Sequence, residues 1–431
     1  MPLFERPAHL SIGNRQWAIS NGQWTTDNRQ IGNLRFVEKT SNIGNPCQLP
    51  IADCQLVLLT KTMILKKIPA FLLLQVCIIA AWAQTTPKAV PDSVMQRVYE
   101  QVKTPYKYGL VVVPADYGKK LDCPTVFRKG NSWYMSYVIF DGRGYETWLS
   151  ESKDLLHWTT KGRLMSLNQD TTVWDAHQRA GYGALQDIQW GGSYQWQPYN
   201  KKYWMSYFGG NTRGYEAGLL SIGMAYSTKD PVKTPEFQRL PQPVLTSKDA
   251  DVRWWENKKQ FKSSVIWDKK KLTGYPFVMY YNANGDTAID NKKTRWFERI
   301  GMAVSNDMIH WKRYQTEPVM HHPVGITGDA VIQQMGDLYV MFYFGAFWQD
   351  RKGAFNRFAC SYDLVNWTDW QGDNLIEPSK PFDEKWAHKS FVVKHNGVVY
   401  HFYCGVNNKD QRGIAVATSK DLGSSEVVFV K

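Results

Sequence analysis

One short pattern of apolar and aromatic positions returns five times along the chain. It reads Trp133-Tyr134-Met135-Ser136-Tyr137, Tyr203-Trp204-Met205-Ser206-Tyr207, Phe277-Val278-Met279-Tyr280-Tyr281, Tyr339-Val340-Met341-Phe342-Tyr343 and Val399-Tyr400-His401-Phe402-Tyr403. The closing Tyr residues stand 70, 74, 62 and 60 positions apart. Each run is short, apolar and aromatic, which suits a strand buried on both faces. A second pattern follows the runs: Ser152-Lys153-Asp154 with Trp158, Ser305-Asn306-Asp307 with Trp311, and Ser361-Tyr362-Asp363 with Trp367. Weaker copies run from Ser227 to Asp230 and over Ser419-Lys420-Asp421. Ser-x-Asp after a strand closes a side-chain-to-backbone turn, and the Trp four residues on caps the edge.

Five units of this length, each with about four strands, predict an all-β fold, a five-bladed β-propeller. The strand–helix alternation of a parallel α/β sheet is absent. One short N-terminal helix is predicted from Asp92 or Ser93 to Val102, with Val94, Val98 and Val102 on one face and Thr104-Pro105 ending it. That face either packs on the propeller or meets a second subunit.

The N-terminal part follows other rules. Met63-Ile64-Leu65-Lys66-Lys67, the apolar stretch Ile68 to Trp82 and the small-x-small site Ala81-Trp82-Ala83 read as a secretory signal peptide over residues 63–83. It is too short to be a membrane span. Residues 1–62 show no pattern and read as an upstream extension that is not part of the native protein. Residues 84–120 form an arm carrying the helix, and 121–431 the propeller. The expected location is secreted or periplasmic, with no membrane span in the mature chain.

Composition refines this picture only in places. The net charge is +13, but Lys and Arg are scattered and no nucleic-acid signature occurs, so no nucleic-acid partner is expected. An acidic polysaccharide suits the charge equally well. The 19 Trp and 23 Tyr exceed what a core alone needs, and aromatic rings stack on sugars. Cys123, Cys360 and Cys404, the three thiols after residue 83, are expected to be buried and free.

In a propeller the first residues of each innermost strand converge at one mouth of the axis. Counting back from the closing Tyr finds Asp122 and His388, each 15 residues before it, and Asp329, 14 before. The other two blades offer Asp187, and Glu256 or Lys262, across insertions at Gly191-Gly192-Ser193 and Asp268 to Gly274. Arg143-Gly144-Tyr145-Glu146 recurs as Arg213-Gly214-Tyr215-Glu216 and, more loosely, as Arg295-Trp296-Phe297-Glu298. Arg and Glu flanking an aromatic suit sugar hydroxyls, and Arg213 and Glu216 are the preferred copy. Trp190, Trp254, Trp255, Phe347 and Trp348 are candidate sugar platforms, with Trp190 and Trp348 chosen.

Asp122-Cys123-Pro124, then Gly130-x-x-Trp133-Tyr134, together with the Ser-x-Asp…Trp turns, resemble the five-bladed propeller glycosidases of glycoside hydrolase family 43 and the related family 117 over roughly residues 105–425. The family-43 resemblance implies Asp122 as general base; the Glu-Gly-Pro that carries its general acid does not occur here. The family-117 resemblance implies Asp122, Asp329 and His388 as catalytic, with Lys389 where that family has an acidic neighbour.

The expected function is thus a secreted, inverting, exo-acting glycoside hydrolase on plant or algal oligosaccharides. Asp122 is the base, His388 the acid, and Asp329 the carboxylate that raises the acid's pKa. Asp187, Trp190, Arg213, Glu216, Lys262, Trp348 and Lys389 are expected to bind substrate. No cofactor is required, although His388 would alternatively hold Ca²⁺ in the axial channel. A homodimer is a further expectation. Two other functions stay open: a propeller-type glycoside phosphorylase, using Lys262, His388 and Lys389 for phosphate, and a non-catalytic carbohydrate-binding propeller.

Overall fold

The computed structural model describes residues 89–285 and 297–431, and the backbone of 10–12, 15–20 and 23–26. The chain divides into two units, Met1–Gln84 and Thr85–Lys431. In the first, β1 (Leu10–Ile12), β2 (Arg15–Ser20) and β3 (Gln23–Thr26) pair as an antiparallel three-stranded sheet, where the sequence shows no pattern. The signal-peptide reading over 63–83 lies outside the described residues.

The second unit begins with α1 (Asp92–Val102). Its buried Met95, Val98 and Val102 join a core cluster with Phe342, Phe358 and Tyr403, and Tyr99 stacks on Trp370 at 5.1 Å. The apolar face of the helix is therefore used by the propeller itself. Lys103 is already extended, and Thr104 before Pro105 disfavours any further helical turn. No helix among the described residues is long and apolar enough to cross a membrane.

Strand β4 (Tyr106–Val112) follows, and the remaining strands fall into antiparallel sets. The first is β5 (Lys120–Lys129), β6 (Ser132–Phe140), β7 (Tyr145–Ser152) and β8 (Trp158–Met165). The second is β9 (Gln178–Gly183), β10 (Tyr203–Gly210), β11 (Ser221–Ser227) and β12 (Gln238–Arg239). The third is β13 (Lys259–Trp267), β14 (Phe277–Asn284), β15 (Glu298–Ser305) and β16 (Trp311–Arg313). The fourth is β17 (Ile326–Met335), β18 (Leu338–Ala346), β19 (Ala354–Ser361) and β20 (Thr368–Asp369). The last is β21 (Trp386–His395), β22 (Val398–Val406) and β23 (Arg412–Thr418), and β4 is its outer strand. Residues expected to form only an arm thus close the propeller.

All five aromatic runs are second strands of their sets, and they are buried almost throughout. The first strands lie against one another: β9 with β13, β13 with β17, β17 with β21, and β21 with β5. Single parallel pairs join neighbouring sets at one end: Tyr145 with Gln178, Glu298 with Ile326, and Arg412 with Lys120.

Four of the five closing Tyr residues share a task, while Tyr137 bonds Ser150 and Thr160. Tyr207, Tyr281, Tyr343 and Tyr403 donate hydrogen bonds to Asp175, Glu256, Asp369 and Asp383. Those carboxylates pair in turn with Arg239, Arg313, Arg357 and Lys107. Gly223 and Gly301 stand directly across from Tyr207 and Tyr281, where a Cβ would strike the phenol ring. Glu256, a candidate for the mouth, is therefore a core group: it is fully buried and bonded by Tyr281 and Arg313.

The predicted turns form as expected. Ser305 Oγ accepts from the Asp307 and Met308 amides, Asp307 Oδ1 accepts from Ile309 and His310, and Trp311 Nε1 donates to Met308 O. Cys123, Cys360 and Cys404 are buried and free.

Replacing Arg313 with Met leaves the Glu256 carboxylate buried with only neutral partners, the Tyr281 phenol and the Arg253 amide. Removing one partner of a buried pair costs about 3–5 kcal/mol. Urea unfolding of Arg313→Met should show a loss of this size, with the mouth chemistry otherwise intact.

Candidate active site

Four of the first strands are distorted at the same place. Antiparallel pairing breaks between Asp122 and Thr125, Gln260 and Ser263, Gly328 and Val331, and His388 and Phe391. A β-bulge re-aims side chains locally. Here it brings Asp122, Cys123, Lys262, Asp329, His388 and Lys389 towards the axis. Cys123, Asp329 and Lys389 hold equivalent positions and all have left-handed backbones, φ 53°, 59° and 64°. Such a backbone in non-Gly residues costs energy and clusters at functional sites.

These residues meet at a cavity of about 440 Å³. Lys262, Asp329, His388 and Lys389 line it, and Asp122 stands behind Lys389. Glu216 also lines it, from the β10–β11 connection. Six of the expected residues are therefore brought together. The third strands contribute a second tier, Glu298 from the start of β15 and Arg412 from the start of β23. Tyr182, Asn282, Phe347, Trp386 and Asp410 complete the wall.

Four expected residues lie elsewhere. Asp187 accepts hydrogen bonds from Ser193 and Gln189 in the long β9–β10 connection, past the far end of its strand. Trp190, in the same connection, packs on Phe342, and its amide bonds Gln334 O. Arg213 is exposed and borders a separate groove with Arg143, Glu146 and His177. Trp348 is a core residue that donates to Ile326 O and stacks on His322 at 4.0 Å. The platforms on the cavity wall are Phe347 and Trp386 instead. Trp255 is also core.

Asp122 is fully engaged. Lys389 Nζ lies 2.8 Å and Arg412 Nη1 3.4 Å from its Oδ2, and the Cys123 amide donates to Oδ1 at 3.1 Å. Burial works to raise its carboxyl, but Lys389 and Arg412 outweigh this and hold it below the usual carboxylate range. His388 is pushed down to about 3, chiefly by burial, with Lys389 and Arg412 adding to it against the opposing pull of Asp122. It is a neutral imidazole whose Nδ1 faces Cys404 O at 3.3 Å. Asp329 accepts from Asn282 Nδ2 at 2.7 Å, and its own amide donates to Asn282 Oδ1 at 2.6 Å.

The two glutamates behave differently. Glu298 is raised to about 8 by desolvation, then by the charges of Glu216 and Asp329. Glu216 is raised by desolvation too, but Lys389 and Arg412 are its strongest charged neighbours and pull it back. Both carboxyls are raised by burial, but the strongest charged neighbours of Glu298 are anions and those of Glu216 are cations. This is the separation that assigns an acid and a base within one pocket.

Asp122, His388 and Cys404 offer ligand atoms within 4.8 Å of one another. One carboxylate, one imidazole and one buried thiol, beside two cations, do not form the oxygen-rich shell that Ca²⁺ takes. This cluster does not fit the expected calcium ion.

No protein-family model matches the chain, and no curated protein does either. Solved structures do. The complex of BT0996 with RGII aligns at 54% identity over 79% of this chain and 99% of its own, with a TM-score of 0.76. A structure named simply as a glycoside hydrolase aligns at 53% identity over the same shares, also at 0.76. This protein belongs to the glycoside hydrolases. A family-117 glycoside hydrolase of Zobellia galactanivorans shares the fold at 14% identity and TM-score 0.52, over 74% of this chain and 91% of its own. The β-propeller class and the enzymatic reading of the sequence both stand with this glycoside hydrolase membership.

A Glu298 carboxyl raised from 4.5 to about 8 keeps a proton in the folded hydrolase that the unfolded chain releases. Stability from this group is therefore lost as pH rises between those values. Glu298→Gln removes the loss. Its melting temperature relative to the parent should climb steadily between pH 5 and pH 8, measured by calorimetry.

Proposed function

We propose that this glycoside hydrolase cleaves a terminal sugar from an oligosaccharide, with Glu298 as general acid and Glu216 as general base. The opposed electrostatic surroundings of the two glutamates carry this reading. Protonated Glu298 donates to the leaving oxygen, and ionised Glu216 takes the proton of the attacking water, which inverts the anomeric centre. Neutral His388 is unsuited to acid catalysis and serves as a hydrogen-bonding wall residue. Asp122, already neutralised by Lys389 and Arg412, sets the positions of those two cations beside Glu216. The roles first expected for Asp122 and His388 thus pass to the glutamates.

Two observations support exo action on an oligosaccharide. Tyr182 and Lys262 also line, with Val331, a second space of about 20 Å³, too small for a sugar ring. A polymer cannot thread through it. The 54%-identical relative is a complex with RGII, and we propose an RGII oligosaccharide as the substrate of this enzyme. We further propose that each antiparallel set is one of five blades and that the protein is exported to the periplasm or outside the cell.

Purified enzyme should release one monosaccharide from an RGII oligosaccharide, seen by chromatography. Glu298→Gln and Glu216→Gln should each lower kcat by at least about 10²–10⁴-fold, the usual worth of a positioned acid or base. Asp122→Asn should lose less. Turnover should fall on the alkaline side near pH 8 as Glu298 ionises. Proton NMR of the first anomer formed checks the stereochemistry: an inverted product fits water activation by Glu216. A retained product would make Glu216 a nucleophile. Full activity in Glu298→Gln would remove the assignment altogether.

A further inference from the structure

Two buried polar groups at the inner end of the cavity have no role in the chemistry just described. The Lys262 side chain is only 4% exposed, yet its ammonium meets no hydrogen-bond acceptor; Asp329 Oδ2 lies at 3.7 Å, near enough for charge attraction only. Its stem leaves the β13 bulge and its Nζ sits over the Tyr182 ring at 5.6 Å from the centroid. Tyr182, on β9, is 2% exposed, and its hydroxyl also finds no partner. Both residues line the cavity, and Asp329, towards which Nζ reaches, lines it as well. A buried donor left unsatisfied costs free energy, about 1–3 kcal/mol for a neutral group and more for a charged one. Two such groups side by side on a cavity floor are the marks of a surface completed by a ligand.

We infer that Lys262 and Tyr182 form the recognition site for the terminal sugar, each bonding one of two neighbouring ring hydroxyls. The inference rests on the proposed active site and names what that site selects: a neutral end sugar with an adjacent hydroxyl pair. A carboxylate on that sugar is disfavoured. Lys262 is already charge-balanced by Asp329, so its ammonium has no unpaired charge to offer a carboxylate. The ammonium donates to one hydroxyl oxygen, the phenol donates to the next, and the stem of Lys262 stays on the Tyr182 ring. No bond is made or broken, so these are binding residues and not catalytic ones.

The test separates binding from turnover. In the Glu298→Gln background, the affinity for an RGII oligosaccharide is measured by calorimetry, with and without Lys262→Met or Tyr182→Phe. Lys262→Met should weaken binding by about 10–100-fold and Tyr182→Phe by about 3–10-fold, in line with charged and neutral hydrogen bonds. In the parent enzyme, L-arabinose and L-rhamnose are compared with D-galacturonate as inhibitors, and a neutral sugar should win. Tyr182→Phe keeps the ring, so it serves as the check if Lys262→Met fails to fold. Unchanged affinity in Tyr182→Phe, or in a folded Lys262→Met, overturns the inference. So does stronger inhibition by D-galacturonate that is lost in Lys262→Met, since Lys262 would then read a carboxylate. If Glu298→Gln still turns over while both binding losses appear, the catalytic assignment fails and the recognition site stands.

Discussion

The site depends on one backbone distortion repeated around the axis. A regular strand sends alternate side chains to opposite faces, so a first strand without a break could aim only every second residue at the mouth. The bulges after Asp122, Gln260, Gly328 and His388 lift that limit. They let two successive residues, Asp122 with Cys123 and His388 with Lys389, approach the same region. The cost is three non-glycine residues in left-handed backbone. The surrounding core holds them there. The fixed Tyr–carboxylate–cation contacts of β10, β14, β18 and β22 keep each second strand in register beside its distorted neighbour.

Electrostatics then sorts the groups that the bulges collect. Asp122 spends its charge on Lys389 and Arg412, and those cations reach Glu216 more strongly than Glu298. Glu298 sees Glu216 and Asp329 and keeps its proton. His388, between Asp122 and the same cations, is denied one. A single ion triad thus differentiates an acid, a base and a neutral imidazole in one desolvated pocket. The arrangement works against stability, as expected where carboxyls are gathered for chemistry.

Much of this was legible in the sequence. The five aromatic runs located every second strand, and counting back from their Tyr residues found Asp122, Asp329 and His388, because β5, β17 and β21 are joined to their partners by tight turns of constant length. The same count failed in the second set: β9 and β10 are linked by a long excursion, which carries Asp187 and Trp190 past the far end of the strand. The spacing from the closing Tyr marks first strands alone. Glu298 and Arg412 come from the starts of third strands, which meet the next first strand through a single parallel pair. That junction has no local sequence signature. The one clue was Phe297-Glu298 as the third copy of the aromatic–Glu motif. Its three Glu residues part ways: Glu146 pairs with Arg163, whereas Glu216 and Glu298 face the cavity. Roles are less legible still, since the pKa of His388 depends first on its burial and then on Asp122, Lys389 and Arg412, which meet it only in three dimensions.

Proton retention by Glu298 at neutral pH, driven by desolvation and the charges of Glu216 and Asp329 against the opposing pull of Lys389, is the feature on which the chemistry turns. It is tested most directly by carbon NMR of the enzyme labelled at glutamate carboxyls, with the Glu298 resonance assigned by its loss in Glu298→Gln. The Glu298 carboxyl should titrate near pH 8, with a lower midpoint once Glu216 is replaced by Gln. A Glu298 carboxyl that titrates near 4.5, unmoved by Glu216→Gln, would contradict it.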